Sequence, residues 1–370
     1  MSSKNSTPTS APANAKSIVF VCLGEWDSTL CLRAKSMGTL LRPMGWQVHF
    51  ALPPSPANAA AAQADSSLHI VPRNPLRFAL HMRRWLRQVN PRFVHFLNPE
   101  VKASLVAAAC PKVKIVGDWE DWHACERDRG MRRVATNLSD RYMRRRSDIV
   151  LVASRWLAKR FAELGRTDTH YIPYATLPRE FPDLPNPFQR PTAVYMGNLA
   201  PQWDHDIVVS AAKLLKDRGY DFPICLIGRG ADFERCQAEK KRLDLSHLEL
   251  PGFLPWDEML NRLRWAHVLL FPIRDKVANL ARCPFKIFQY AQAQRPVITS
   301  AVGEVPTYLG QQAIYVDSSP EGFAEAIAQA MVQPRSPAVD YGINAHTWEQ
   351  RAIAFNQVLC DYDRSCVADR

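Results

Sequence analysis

No two of the nine cysteines in this 370-residue sequence are spaced C-x-x-C, and none joins a histidine in a cluster. That absence excludes the common zinc frameworks and leaves scattered thiols, the pattern of a reducing compartment such as the cytoplasm. No apolar run approaches the length that spans a bilayer. The opening stretch "MSSKNSTPTSAPANAK" lacks the apolar centre of a signal peptide and reads as a disordered tail over residues 1–15. No RNP, helix-turn-helix or similar motif is present, so nucleic acid is not an expected partner. Acidic charge is scarce in one half only. Residues 1–185 hold 27 Lys and Arg against 15 Asp and Glu, a net +12, whereas residues 186–370 hold 20 against 21, a net −1. The basic half suits an acidic partner. The stretches "HMRRWLRQVNPR" (81–92) and "RGMRRVATNLSDRYMRRRSD" (129–148) lead to the expectation of an anionic membrane surface, with a solvated basic face as the competing explanation.

What is present is an alternation of short apolar runs with helical patterns. "SIVFVCL" (17–23), "WQVHFAL" (46–52), "SLHIVP" (67–72), "RFVHFL" (92–97), "VKIVGDW" (113–119) and "DIVLVAS" (148–154) read as strands. "PPSPANAAAAQADSS" (53–67) reads as a loop by its Pro, Ala and Ser content. Five prolines in "TLPREFPDLPNPFQRPT" (176–192) read as a linker, after which the alternation restarts with "AVYMGNL", "FPICLIGRG", "LELPGFL", "HVLLFPI", "RPVITSAV" and "QAIYV". Strands alternating with helices predict parallel sheets with helices on both faces, and such sheets bind ligands beyond the carboxyl ends of their strands. The expected organisation is a tail (1–15), a first α/β domain (16–180), a linker (181–192), a second α/β domain (193–345) and a last amphipathic helix (346–370) that packs back on the first domain.

Two glycine turns close strands in the second half: Gly197 in "YMGNL", and Gly228 and Gly230 flanking Arg229 in "LIGRG". Such turns let a ligand approach backbone N–H groups; the plainer explanation is strand termination. From there the sequence resembles the retaining glycosyltransferases of GT-B fold, the family-4-like group. Gly197, "LIGRG", "LPGFL", "AHVLLFP", "CPFKIFQYAQAQRPVI" and "VGEVP" follow the order and spacing of that family's motifs over roughly residues 193–310. The resemblance implies an α/β fold of two Rossmann-like, doubly wound domains facing a central cleft, the second binding a nucleotide sugar and the first an acceptor. It implies that Arg282 and Lys286 bring positive charge to the donor's diphosphate, where leaving-group charge must be stabilised. Gly197, Asn198, Gly228, Arg229 and Glu304 join the donor set by their places in these motifs. The sequence also departs from the family. Gln289 stands where a Glu usually holds the ribose hydroxyls, Ala281 stands where its partner Glu would be, and Trp203 stands where many relatives have a Lys. An amide still bonds a hydroxyl but loses the charge-assisted bond. Trp203 is a candidate for stacking on a base or sugar, or for plain packing.

In the first half the loop "GEWDS" supplies Gly24, Glu25 and Trp26 on the acceptor side, again by resemblance. "VGDWEDWHAC" (116–125) follows a strand and offers Asp118, Asp121 and His123 as candidates for holding sugar hydroxyls or orienting the acceptor. In the family the leaving phosphate itself helps take the acceptor proton, so a protein nucleophile is not required. No metal and no cofactor are expected, since basic residues serve the diphosphate. The expected reaction is sugar transfer from a nucleotide sugar to a glycan, lipid-linked or other acceptor, in the cytoplasm or on the inner face of the membrane. The rival expectations are an inactive partner protein of the same fold and a sugar-nucleotide epimerase or phosphorylase.

Overall fold

The computed structural model describes residues 16–122, 130–176 and 180–368. The chain divides into two compact units: Met1–Val152 with Phe161–Ile172 and Ala352–Arg370, and Ala153–Arg160 with Pro173–Arg351. Each unit is built on one parallel sheet.

The first sheet contains β1 (Ser17–Val21), β2 (Gln47–Leu52), β3 (Leu68–Ile70), β4 (Phe93–Leu97), β5 (Lys114–Trp119), β6 (Ile149–Val152) and β7 (Thr169–Tyr171). Their order is β3-β2-β1-β4-β5-β6-β7, so the winding reverses between β1 and β4. β1 is buried at every residue, as expected of a central strand covered on both faces. Pro56–Ala64, expected as a loop, is a helix. Ser55 caps it by accepting a bond from the Asn58 amide at 3.1 Å, Pro56 occupies the first turn, and alanines carry it onward. The last helix, Trp348–Ala368, contributes its residues from Ala352 onward to this unit. Ala352, Phe355 and Leu359 form its buried stripe, and Phe355 lies edge-on to Phe20 of β1 at 6.3 Å. Trp46 Nε1 donates to Asn356 Oδ1 at 2.8 Å, and Tyr362 Oη donates to Asp148 Oδ1 at 2.9 Å.

The second sheet contains β8 (Ala193–Met196), β9 (Ile224–Ile227), β10 (Leu248–Gly252), β11 (Val268–Phe271), β12 (Val297–Thr299) and β13 (Ile314–Tyr315), in the order β10-β9-β8-β11-β12-β13. The winding reverses between β8 and β11. Alternate residues feed two cores. Val194, Cys225, Ile227, Leu269 and Phe271 pack on one face, and Ala193, Tyr195, Ile224, Leu226, Val268 and Leu270 pack on the other. Each such aliphatic burial is worth about 1.5–3 kcal/mol. Residues 181–192 are not a free linker. Pro182, Leu184 and Pro185 accept side-chain bonds from Arg264, Trp265 and Asn261 at 2.9, 3.1 and 3.0 Å, which straps the segment to the Trp256–Trp265 helix of its own unit. No described helix is long and apolar enough to cross a membrane.

Candidate active site

The second unit gathers its notable residues beyond the carboxyl ends of β8, β9 and β11, beside the reversal point where doubly wound sheets bind ligands. Lys286 is the first residue of the Lys286–Gln292 helix, and Pro284 stands two residues ahead of it rather than inside the first turn. Its ammonium lies 4.0 Å from the centre of the Tyr195 ring and 5.1 Å from that of Phe271. No hydrogen bond or ion pair to a described residue satisfies it. Burial lowers its pKa well below the usual lysine value, and nearby Arg282 lowers it further while Asp204 opposes. A Cβ at Gly197 would stand 2.7 Å from Lys286 Nζ and 2.9 Å from Tyr195 Oη, so the bare glycine makes room for the ammonium at the strand end.

The other two glycines serve a different purpose. A Cβ at Gly228 would meet the Gly197 carbonyl oxygen at 1.8 Å, and one at Gly230 would meet the Leu199 carbonyl oxygen at 2.2 Å. Gly228 has φ +138°. The β8 and β9 turns approach each other this closely because Leu199 N donates to Arg229 O and Asp232 N donates to Leu199 O. The space expected to admit a ligand at Gly228 is filled by backbone. Asn198 Oδ1 also lies against Gly230. Arg229 is exposed, with its guanidinium over the Phe233 ring at 4.8 Å. Trp203 carries the Arg282 guanidinium on its ring at 3.9 Å, so its face is occupied by a cation. Gln289 is largely buried, and its side-chain amide bonds no described residue. Its neighbour Tyr290 is structural. The hydroxyl donates to Leu270 O at 3.1 Å and accepts from Met196 N at 2.8 Å, tying β8 to β11. Glu304 is buried, and its carboxylate accepts from the Arg155 amide at 2.6 Å and from Arg155 Nη1 at 3.3 Å; it is engaged by the protein itself.

Sequence reasoning missed the network that positions this segment. Asp204 is buried and takes four bonds: from Arg274 N at 3.0 Å, Arg274 Nη1 at 3.1 Å, Lys276 Nζ at 3.0 Å and Asn279 Nδ2 at 2.8 Å. Burial alone would raise its pKa, and these bonds hold it below the usual carboxylate value. Asp206 accepts both Arg274 Nη1 and Nη2, at 2.7 and 2.6 Å. The chain between β11 and Lys286 is thereby pinned to the loop after β8. The only signal in the sequence was a carboxylate, Asp204, beside the expected lysine position.

In the first unit, Asp118 is placed differently from the expectation of a sugar-binding carboxylate. It is fully buried, and both oxygens are taken: Arg33 Nε and Nη2 donate at 2.7 and 2.9 Å, and His95 Nε2 lies 2.9 Å away. Burial pushes against ionisation, yet Arg33 and His95 bring its pKa down to about 2. A carboxylate so enclosed cannot hold a hydroxyl. It locks the Thr29–Leu41 helix to β4 and β5. Asp121 is half-buried, with its amide donating to Asn98 Oδ1 at 3.1 Å. His123 lies outside the described residues. Asn98, with φ +42°, also accepts from Glu120 N and donates to Glu120 Oε2. Gly24 and Trp26 are fixed by Asn58, whose Nδ2 donates to Gly24 O and whose Oδ1 accepts from Trp26 N. Glu25 O accepts from Ser28. The cavity at the ends of β1 and β4, of about 250 Å³, is lined instead by Leu23, Pro53, Asn98, Glu100 and Lys102 among others. Among the described residues no group of three or more His, Cys, Asp or Glu is placed to hold a metal ion.

Residues 190–333 match the family model described as glycosyl transferases group 1, and residues 32–175 match that of a glycosyl transferase 4-like domain. No curated protein matches the sequence. Solved structures match over nearly the whole chain. Sucrose-phosphate synthase from Thermosynechococcus elongatus does so with TM-score 0.72 at 15% identity, covering 96% of this chain and 100% of that one. HepE of Anabaena, solved with UDP and glucose, gives 0.70 at 13%, covering 95% and 100%. The pneumococcal O-GlcNAc transferase GtfA, solved with UDP and GlcNAc, gives 0.69 at 10%, covering 94% and 99%.

Proposed function

Because the chain belongs to the group 1 glycosyl transferases, nucleotide-sugar-dependent enzymes of GT-B fold, we propose that its donor diphosphate binds against Lys286 and Arg282. The observation that supports this reading is the Lys286 ammonium, held between two aromatic rings at the strand ends with no anionic partner among the described residues. A cation in that position gains most from a ligand that carries negative charge. Charge developing on the leaving phosphate strengthens the interaction in the transition state. Gln289 takes the ribose hydroxyls through its amide. The acceptor is a glycan or a lipid-linked glycan, taken up by the first unit. Transfer proceeds with retention, the leaving phosphate accepting the proton of the attacking hydroxyl, which asks for no carboxylate nucleophile. The enzyme works at the inner face of an anionic membrane through its basic first unit.

A thermal-shift screen against UDP-, GDP-, ADP- and dTDP-sugars tests the donor site. A ligand that binds only the folded chain raises its Tm by mass action. One nucleotide should raise Tm in the native protein and fail to do so in Lys286→Ala and Arg282→Ala. If no nucleotide at millimolar concentration moves Tm, the chain is an inactive partner protein on this fold, and Gln289 marks a lost donor contact.

A further inference from the structure

The helix Gly130–Arg146 turns its single carboxylate inward. Asp140 is buried, accepting from Trp119 Nε1 at 3.0 Å and from Arg144 Nε at 2.8 Å. On its solvent side stand Met131, Val134, Leu138 and Tyr142, which are 89, 57, 63 and 39% exposed. Their spacing of three, four and four residues puts them on one face. A helix of a globular protein normally buries such a stripe, and an exposed one marks an interaction surface. Arg141 and Arg145 continue the same face at the same spacing from Leu138. Neither has an ion-pair partner among the described residues.

Both arginines open onto a cavity of about 630 Å³ lined by Arg141, Arg144, Arg145, Leu164, Gly165 and Arg166. Two of the four cations are already balanced, Arg144 by Asp140 and Arg166 by Asp168 at 2.7 Å. Arg166 also donates to the carbonyls of Arg144 and Ser147, at 2.9 Å each, which fixes that wall to the end of the helix. Arg141 and Arg145 are left to meet an anion. The Pro75–Val89 helix, which shares the neighbouring helix Val101–Ala109 with Gly130–Arg146, adds exposed Leu76 and Leu80 and four arginines with no carboxylate.

We propose that this face is a docking surface for an anionic phospholipid bilayer, with the Met131–Tyr142 stripe in the headgroup boundary and the Arg141–Arg145 cavity taking a lipid phosphate. Bulky apolar side chains rimmed by unpaired arginines match a surface that is apolar beneath a layer of phosphates. A nucleic acid would answer the charge but leave the stripe in water. The proposal locates the membrane-surface part of the reading above and is independent of the donor site.

The test is co-sedimentation of the full chain with vesicles of phosphatidylcholine, with and without phosphatidylglycerol, using the melting curve to confirm folding. Binding should require phosphatidylglycerol. Each arginine near an anionic surface is worth about fivefold, so Arg141→Ala with Arg145→Ala should weaken partition about 30-fold. Leu138→Asp should weaken it at least as much. If the native chain ignores anionic vesicles, the membrane reading fails with the proposal. If it binds them and the folded variants bind equally well, this surface is wrong while the membrane reading stands. If inorganic phosphate displaces the chain and Leu138→Asp has no effect, the cavity is a free-phosphate site and lipid docking is overturned.

Discussion

Asp118 lies within the last residues of β5 and Lys286 at the start of the helix that follows β11, each near the carboxyl ends of its own parallel sheet, yet their surroundings are opposite. Asp118 has no exposure and every oxygen partnered, with its pKa driven down to about 2. Lys286 packs its ammonium against the Tyr195 and Phe271 rings, and burial, with nearby Arg282, lowers its pKa. The Asp118 carboxylate is satisfied within the protein and is therefore structural. The Lys286 site holds a cation that no described carboxylate neutralises. Residue type alone pointed to Asp118 as chemistry; satisfaction of its charge decides otherwise.

The largest effect should come from removing the Asp118 carboxylate. Asp118→Asn takes from buried Arg33 the carboxylate that binds it through two nitrogens, leaving Glu120 at 4.0 Å, and should cost about 3 kcal/mol of unfolding free energy, read by urea denaturation. The same carboxylate sets an acid limb. Its folded pKa of about 2 lies below the usual value of about 3.9, so its contribution is present above about pH 4 and is lost as pH falls through 2. The native chain should lose about 2–3 kcal/mol across that window, and the Asn variant should not show that slope.

Removing the Lys286 cation should do the reverse. Lys286→Met should weaken nucleotide-sugar binding by about 2–3 kcal/mol, measured by calorimetry. It should also raise the Tm of the free chain, because it removes a half-buried cation that has no ion pair among the described residues. In the native chain that cost is full below the lowered pKa of Lys286 and is relieved as pH rises toward about 10.4, so free-chain stability should climb over that range and stay flatter in the Met variant. A drop in Tm on Lys286→Met would erase the contrast with Asp118. Trp203→Ala removes the platform under Arg282 and should weaken donor binding by about 1 kcal/mol. The smallest effect is Gln289→Glu. Restoring the charge-assisted bond to a ribose hydroxyl should tighten binding at most about fivefold, and a loosening would remove Gln289 from the donor contact.

The two doubly wound sheets were legible because central parallel strands are apolar on both faces and stand out as short runs between amphipathic helices. The motif order from Gly197 to "VGEVP" was legible through its resemblance to the family's own order and spacing. The helix at Pro56–Ala64 was misread because its prolines and serines outweighed its alanines, which favour a helix, while the order Ser55–Pro56 makes the cap that starts it. β7 is only three residues long and went unseen. Of the candidate site, Lys286, Arg282 and Gly197 could be placed near one another from motif order. The partners that give other residues their roles could not. Arg33 and Asp118 are 85 residues apart, and Asp204 and Asn279 are 75 apart.

The sequence by itself determined the class of fold, two doubly wound α/β domains, because that follows from local period, and its resemblance to the family, because that is carried by the order of motifs along the chain. Tertiary structure alone decided which charges are spent within the protein. It placed Asp118 and Glu304 in ion pairs, turned Gly228 against a neighbouring carbonyl and left Lys286 without an ion pair among the described residues. The reason is that burial and pairing depend on residues brought together by folding, and the free energy of a charge is set by that company rather than by its own chemistry.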